Sequence, residues 1–568
     1  MLSSVWRVQD LCQGVGVSVA WYVDVHRTEL SRSLTGTKDS EPFRYWQIFG
    51  RLPTASPDLQ LAKTWLEECL QHHPKCSRPR TTIHPPRLLD LENAEDTPDL
   101  RLALRPMDRG PYATLSHCWG SSQPLRLLEA NLEEFAACIR FARLPKTFQD
   151  AVTATRALGL RYLWIDSLCI LQDSAADWEE HCSEMANIYR RSYVTLAGPI
   201  SSSCDTGLLH TRPQIDDPVT LKLDDEGEEV EVQLDYHHLQ GNSYYFGPEP
   251  DSPLSKRAWV FQERILSGRT LYFGKSRMYL ECHTNVHFED CHWPVQWDED
   301  KVGGMVVKRS LQDVHPMSSD VFKYWYSLVS TYSGLDLTKQ TDKLPAFSGM
   351  ASLFGQILKD EYIAGHWRED LPRSLVWTVS PEDKVSGGPS KSGIAAETYI
   401  APSWSWASSP WKVKIVPNSG RQFGPSVEIH DVKVAPTGQD ARGMVQRGGY
   451  MDVSGLVMHG TVKRTGPRTG EFRSGRFTTD TVEWDWDDRG DGCGAVEGGD
   501  EFDVHLLQIG TCDYYHWMII ELVADAESGS ENGGDCWHRI GMTSHYGREG
   551  KLEEVRRTEK EHKRLRLI

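Results

Sequence analysis

Apolar positions along this chain follow helical spacing in some stretches and strand alternation in others, and the change from one to the other outlines its organisation. Leu61, Trp65, Leu66 and Cys69 share a face at helical spacing and predict a short helix over 61–70. Otherwise residues 1–110 mix apolar and polar positions without one clear period, and Pro85-Pro86 with the acidic stretch Asp90 to Asp99 reads as a linker. Tyr112 to Ser116 is a short strand that ends in a polar cluster. Pro145 then opens a helix carrying Phe148, Ala151, Val152 and Leu158 on one side, and Gly159 stops it. A buried strand over Tyr162 to Ile165 ends at Asp166. Ser174 and Asp177 suit a capping box for a helix that turns Trp178, Met185, Ile188 and Tyr189 inward, and Tyr193 to Ala197 reads as the next strand. Strand, helix, strand, helix, strand at this spacing predicts a parallel α/β layer.

Past Gly198 the pattern loosens. The acidic stretch Asp224 to Glu231 is expected to be an exposed loop, and Val321 to Leu358 to be mainly helical. After Pro402 the alternation is strand-like in Ile429 to Val434, Met451 to Met458, Phe502 to Ile509 and Trp517 to Val523, with a Gly- and Asp-rich break over Asp487 to Gly499. No internal repeat of fixed period interrupts this order.

Length and charge narrow the function classes. A chain of 568 residues exceeds one compact core, so two or three domains are expected. A net charge of −18 argues against nucleic-acid binding, which needs a cationic surface to displace counterions. The one basic cluster, Arg556-Arg557 and Lys563 to Arg566, is interleaved with glutamates and reads as a solvated terminal face. No apolar run approaches the ~20 residues of a membrane-spanning helix. The first residues lack the pattern of a secretory signal, and the 13 scattered cysteines read as reduced thiols. The expected address is cytoplasmic.

Candidate chemistry gathers at the predicted strand ends, where loops and helix N-termini converge on ligands in parallel sheets. Ser116, His117, Cys118, Trp119 and Gly120 follow one strand, and Asp166 and Ser167 follow the next, with Asp173 and Asp177 at the following helix start. Helix capping explains Asp173 and Asp177 as well as chemistry does. Asp166 admits either a catalytic carboxylate or a structural hydrogen bond to the Ser116 loop. Cys282-His283 and Cys291-His292, with His287 between them, offer thiolate and imidazole ligands, but without the usual close cysteine spacing the expectation is no metal site. His117 and Cys118, adjacent on an extended strand, point opposite ways and do not suit a nucleophile pair. Gly-rich phosphate loops and nucleophile elbows are absent from the sequence. The tryptophans, Trp404 and Trp406 among them, are expected in cores and interfaces.

Three blocks resemble the fungal heterokaryon-incompatibility (HET) domain. Tyr112 to Gly120 is similar to its opening motif. Leu163 to Ile170, Gln172-Asp173, Asp177-Trp178, Met185 and Ile188-Tyr189 are similar to its second block, and Arg257 to Arg264 with Leu266-Ser267 and Arg269 to Leu271 to its closing one. Tyr332-Ser333, Leu337-Thr338, Asp342 to Ala346, Ala364 to Trp367 and Ala401 to Ser408 resemble the segment that usually follows. The resemblance implies a signalling module of self/non-self recognition and programmed cell death, with protein partners or self-association. The organisation it suggests is an N-terminal mixed segment over 1–111, a HET domain over 112–265, a mainly helical associated segment over 266–410 and a β-rich region over 411–568.

A HET domain also implies a remote likeness to the TIR (Toll/interleukin-receptor) fold, a flavodoxin-like parallel layer. Some TIR domains cleave NAD with a glutamate on the helix after a central strand, which would make NAD a substrate here and Asp166 and Glu180 the catalytic carboxylates. Glu179 and Glu184 share that helix. The chain departs from the pattern: four residues after Trp178 stands Cys182, and three after it His181, where related domains carry glutamate. The family-motif residues are Ser116, His117, Trp119, Gly120, Ser167, Asp173, Asp177, Trp178, Trp259 and Glu263. Trp259 and Phe261 alternate with Val260 and Gln262 as on a strand or extended edge, with Trp259 expected buried against the α/β module and Glu263 held by a basic or amide partner.

Overall fold

The computed structural model describes residues 56–76, 84–92, 98–106, 110–120, 125–212, 219–225, 228–234, 252–275, 277–289, 295–296, 308, 320–379, 399–415, 423–466, 469–474, 477–484, 501–511, 514–523, 536–546 and 561–568. The chain divides into two compact units. The first comprises 1–173, 191–255 and 267–308, and the second 174–190, 256–266 and 309–568.

The first unit is built on a sheet whose strands are β1 (Arg87–Asp90), β2 (Arg101–Leu104), β3 (Tyr112–Ser116), β4 (Tyr162–Trp164), β5 (Val194–Ala197), β8 (Arg269–Phe273), β9 (Met278–Cys282), β10 (Asn285–Phe288) and β11 (Val295–Gln296). A separate hairpin supplies β6 (Val219–Asp225) and β7 (Glu228–Leu234). The sheet order is β11-β10-β9-β8-β5-β3-β4-β1-β2. Its centre is parallel: β3 pairs with β4 and β5, and β5 with β8, all in parallel register. Antiparallel strands extend it on both sides, so the sheet is mixed rather than wholly parallel. β3, β5 and β8 are buried along their full length, as central strands covered on both faces require. Pro145 caps the helix Lys146–Ala157, whose Phe148, Ala151 and Val152 are buried. Gly159, with φ of +76°, turns the chain out of it into β4.

Several expectations are corrected in this unit. The linker expected over Pro85 to Asp99 instead holds β1, antiparallel to β4 and β2. Leu88 and Leu89 are buried there, and Asp90 is only 1% exposed because Arg161 and Arg101 clasp its carboxylate. The acidic run expected as a loop belongs to the β6–β7 hairpin. Val219, Leu221 and Leu223 stand opposite Leu234, Val232 and Val230, a period-2 apolar pattern interleaved with the charges. The strand over Tyr162 to Ile165 ends at Trp164, and Ile165 becomes the N-cap of a short helix, Asp166–Cys169.

The second unit contains the helices Ala175–Arg191, Ala258–Leu266, Asp320–Ser333 and Pro345–Leu358. The helical reading of Val321 to Leu358 agrees with the last two. Met185, Ile188 and Tyr189 are buried as the pattern predicts, but Trp178 is 36% exposed, and His181 occupies the inward position one residue-triplet on. Residues 258–266 are helical rather than extended. Ala258, Phe261, Gln262, Ile265 and Leu266 recur at helical spacing and all are buried, and this stripe overrides the two-residue alternation of Trp259 and Phe261. An aromatic core holds the segment: Tyr332 stacks on Phe347 at 4.6 Å, Trp325 packs on Phe354 at 4.9 Å, and Trp406 meets Phe347 edge-on at 5.7 Å. Trp404 and Trp406 are fully buried.

The C-terminal strands close into a circuit. Tyr450–Gly466, Glu501–Thr511, Tyr514–Val523, Cys536–Tyr546, Phe477–Trp484 and Thr469–Ser474 pair antiparallel in that order, and the last returns to the first. Closure satisfies strand edges that would otherwise be open. All four strand-like stretches read from the sequence lie in this region, while the break over 487–499 falls outside the described residues. The basic terminal cluster lies on a strand, and its charged side chains stay largely at the surface as expected. Glu561–Leu567 pairs with Tyr450–Gly466, buries Leu565 and Leu567, and places Arg566 in a bidentate contact with Asp452. Arg556 and Arg557 fall outside the described residues. Among the described residues, no helix is long and apolar enough to cross a membrane.

Candidate functional site

The carboxyl ends of β3 and β4 bring the first two motif blocks together, because Thr114 lies opposite Trp164 in a parallel pair. Trp119 Nε1 donates to Asp166 Oδ2 at 2.9 Å, and the backbone N–H of Ser167 donates to Asp166 Oδ1 at 2.7 Å. Both carboxylate oxygens are therefore engaged by the chain itself. Ser116 and His117 are buried, and the His117 ring meets Phe148 edge-on at 5.1 Å. Gly120 adopts φ of +78°, and a Cβ there would stand 2.5 Å from the Ser203 Cβ. Only glycine lets the loop after β3 pass so close to the loop after β5. That second loop is anchored in turn: Asp150 Oδ2 accepts from the backbone N–H groups of Leu208 and Leu209, and Thr147 accepts from that of Gly207. Ser116 Oγ and Ser167 Oγ are buried and meet no hydrogen-bond partner among the described residues.

The remaining motif residues divide by role. Asp173 accepts from the backbone N–H of Glu129 with both oxygens, at 3.1 and 3.2 Å, and so caps the start of a short 3-10 turn, Glu129–Asn131. Ser174 Oγ accepts from Asp177 N at 3.3 Å, the forward half of a capping box. Asp177 faces His181, with Oδ2 to Nδ1 at 3.6 Å. Glu179, Glu180 and Glu184 are exposed on the helix Ala175–Arg191; Glu179 accepts from Gln439 N at 3.0 Å, and Glu184 from Asn187 Nδ2 at 3.1 Å. Trp259 is half-buried, its indole N–H directed at Asp342 Oδ2 at 3.3 Å, and Glu263 is buried. Burial raises the Asp342 carboxyl above the ordinary range, partly offset by this indole bond and by Lys339. A cleft of about 630 Å³ in the C-terminal sheet is lined by His459, Arg473, His505, Glu561 and Lys563 among others, and no predicted site residue lines it.

One cluster escaped the sequence reading. Cys282, considered there with His283, His287, Cys291 and His292, instead meets Cys69, His73 and Cys76. Cys291 and His292 lie outside the described residues. The signal was the spacing Cys69, His73, Cys76, which sets a thiol and an imidazole one turn apart at a helix end.

No curated protein and no solved structure matches the chain. Residues 112–263 match the family model described as Heterokaryon incompatibility protein (HET), a span that begins at β3 and ends within the helix Ala258–Leu266. Residues 112–263 of this chain are thus a heterokaryon incompatibility (HET) domain.

Proposed function

We propose that the chain is a signalling module of fungal heterokaryon-incompatibility reactions, acting in self/non-self recognition and programmed cell death from the cytoplasm. It works by associating with protein partners or with itself rather than by turnover, and it binds no nucleic acid. The observation that carries this reading is the use of Asp166: both its oxygens hold the Trp119 loop and the Ser167 turn, so the carboxylate serves as a structural clamp. The close passage of Gly120 over Ser203 supports it, since two loops in contact leave little room above these strand ends. The parallel strands run β4-β3-β5-β8, which in chain order is second, first, third, fourth. That order supports the TIR-like, flavodoxin-like layer implied by the family resemblance.

A second reading, hydrolysis of NAD, is favoured by the two buried hydroxyls of Ser116 and Ser167 at the same strand ends. Raised expression of the full chain in a fungal host is expected to arrest growth, because a weak self-interface fills as copies accumulate. Asp166→Asn and Glu180→Gln separate the two readings, since each keeps shape while removing a charge. Growth arrest that persists in both folded variants, with cellular NAD unchanged, supports association. Joint loss of arrest and of NAD cleavage in either folded variant overturns it in favour of the hydrolase, and no arrest by the unmodified chain removes the incompatibility reading.

A further inference from the structure

Three thiols and one imidazole converge within the first unit. Cys69 lies in the last turn of the helix Leu59–His72, which Asp58 caps by accepting from the N–H groups of Gln60 and Leu61. His73 is the residue that ends the helix, its N–H donating to Cys69 O, and Cys76 N donates to His73 O one turn later. This turn carries Cys69, His73 and Cys76 on one side. Cys282 comes from the end of β9, just before the hairpin into β10. The four ligand-type atoms all lie within 4.8 Å of one another, and Cys282 Sγ stands 3.5 Å from His73 Nδ1.

These distances suit a tetrahedral ion. Zinc, with Zn–S near 2.3 Å and Zn–N near 2.0–2.1 Å, holds its ligand atoms roughly 3.5–3.8 Å apart. The donor set, three sulfurs and one imidazole nitrogen, is that of a closed structural site with no open position for a substrate. Burial agrees: Cys69 and Cys282 are fully buried and Cys76 is 4% exposed.

The groups around Cys282 can hold a thiolate. The backbone N–H groups of Thr284 and Asn285 both donate to Cys282 Sγ at 3.4 Å. Asn285 also bridges two ligands, its Oδ1 lying 3.4 Å from Cys282 Sγ and its Nδ2 3.3 Å from His73 Nε2. Rotating that amide by half a turn makes Nδ2 donate to the thiolate and Oδ1 accept from His73 Nε2–H, the protonation state of an imidazole bound through Nδ1. Arg269 donates to Cys76 O at 3.1 Å and places a buried guanidinium beside the cluster, where three thiolates and a divalent ion leave one net negative charge.

We propose that Cys69, His73 Nδ1, Cys76 and Cys282 bind one zinc ion, which ties the helix Leu59–His72 to the β9–β10 hairpin, with Asn285 as the residue that orients His73 and supports Cys282. A disulfide would use two of the thiols and leave the third thiol and the imidazole unexplained.

The full chain, purified with reductant and without chelator, is expected to carry one zinc per chain by elemental mass spectrometry. Exchange for cobalt(II) should give the intense visible absorption of a tetrahedral, sulfur-rich site. Cys282→Ser should abolish that spectrum, Asn285→Ala should weaken metal affinity roughly 10- to 100-fold, and Cys138→Ser, at an exposed cysteine, should change neither. Because Cys282→Ser risks misfolding, the cobalt spectrum of the unmodified chain is decisive. A folded chain that takes up neither metal overturns the proposal. So does a disulfide among these cysteines in the freshly reduced and desalted protein, or a Cys282→Ser variant with an unchanged cobalt spectrum.

Discussion

The indole N–H of Trp119 donates to the Asp166 carboxylate at 2.9 Å, and through this bond the loop after β3 is fastened to the turn after β4. The parallel pairing of the two strands makes the bond possible, because it sends both motif blocks out of the sheet at the same end.

Removing either partner should therefore loosen the same loop. Asp166→Ala leaves the indole N–H and the Ser167 N–H without their acceptor and is expected to cost about 1–3 kcal/mol of stability. Trp119→Phe should cost about 1 kcal/mol beyond its packing loss. Urea unfolding of both single variants and the double variant gives their coupling energy. A coupling indistinguishable from zero would mean that the bond contributes nothing to the fold.

Asp90 should make the protein sensitive to acid. Burial works to raise its carboxyl, but the guanidiniums of Arg161 and Arg101 outweigh it and hold it below the ordinary carboxylate range. A carboxyl lowered on folding contributes stability above its unfolded value near pH 4, and that contribution disappears as pH falls through the folded value. Asp90→Ala is expected to cost roughly 2–3 kcal/mol at neutral pH, less than a wholly buried pair because both guanidiniums reach solvent. The loss should shrink as the medium is acidified below about pH 4, which denaturation midpoints across pH would show.

Asp370 should act in the opposite sense. Burial pushes its carboxyl up to about 7, against the lowering influence of the Tyr326 hydroxyl it accepts from and of Arg373. The folded chain therefore holds this proton where the unfolded chain has released it, so stability falls as pH rises from about 4 to about 7. Asp370→Asn, which cannot ionise, should remove this slope, a difference on the order of 3 kcal/mol across the window. Thermal midpoints of the two proteins that stay parallel between pH 4 and 7 would contradict the assignment.

The first motif block illustrates how much was legible in advance. Tyr112 to Ser116 reads as a strand because its apolar run is short and ends in polar residues, and the helix after Pro145 reads from its punctuation. These features depend on residues a few positions apart, so the periods of strand and helix express them directly. Ambiguity remained where two periods fitted one segment. In 258–266 the strand alternation is local, whereas the helical stripe gains its advantage only when Phe261 finds Tyr332 and Phe347.

By itself, the sequence determined the order of the central elements, the placement of the first two motif blocks at strand ends, and the burial of Trp404 and Trp406. Each follows from local spacing and from the removal of apolar surface from water. Only the tertiary structure decided that Asp90 closes a strand beside β4, that both Asp166 oxygens are held by neighbouring groups, and that Cys282 joins Cys69, His73 and Cys76. Such partners are distant along the chain, and which of them meet depends on the strand pairing that brings their ends together.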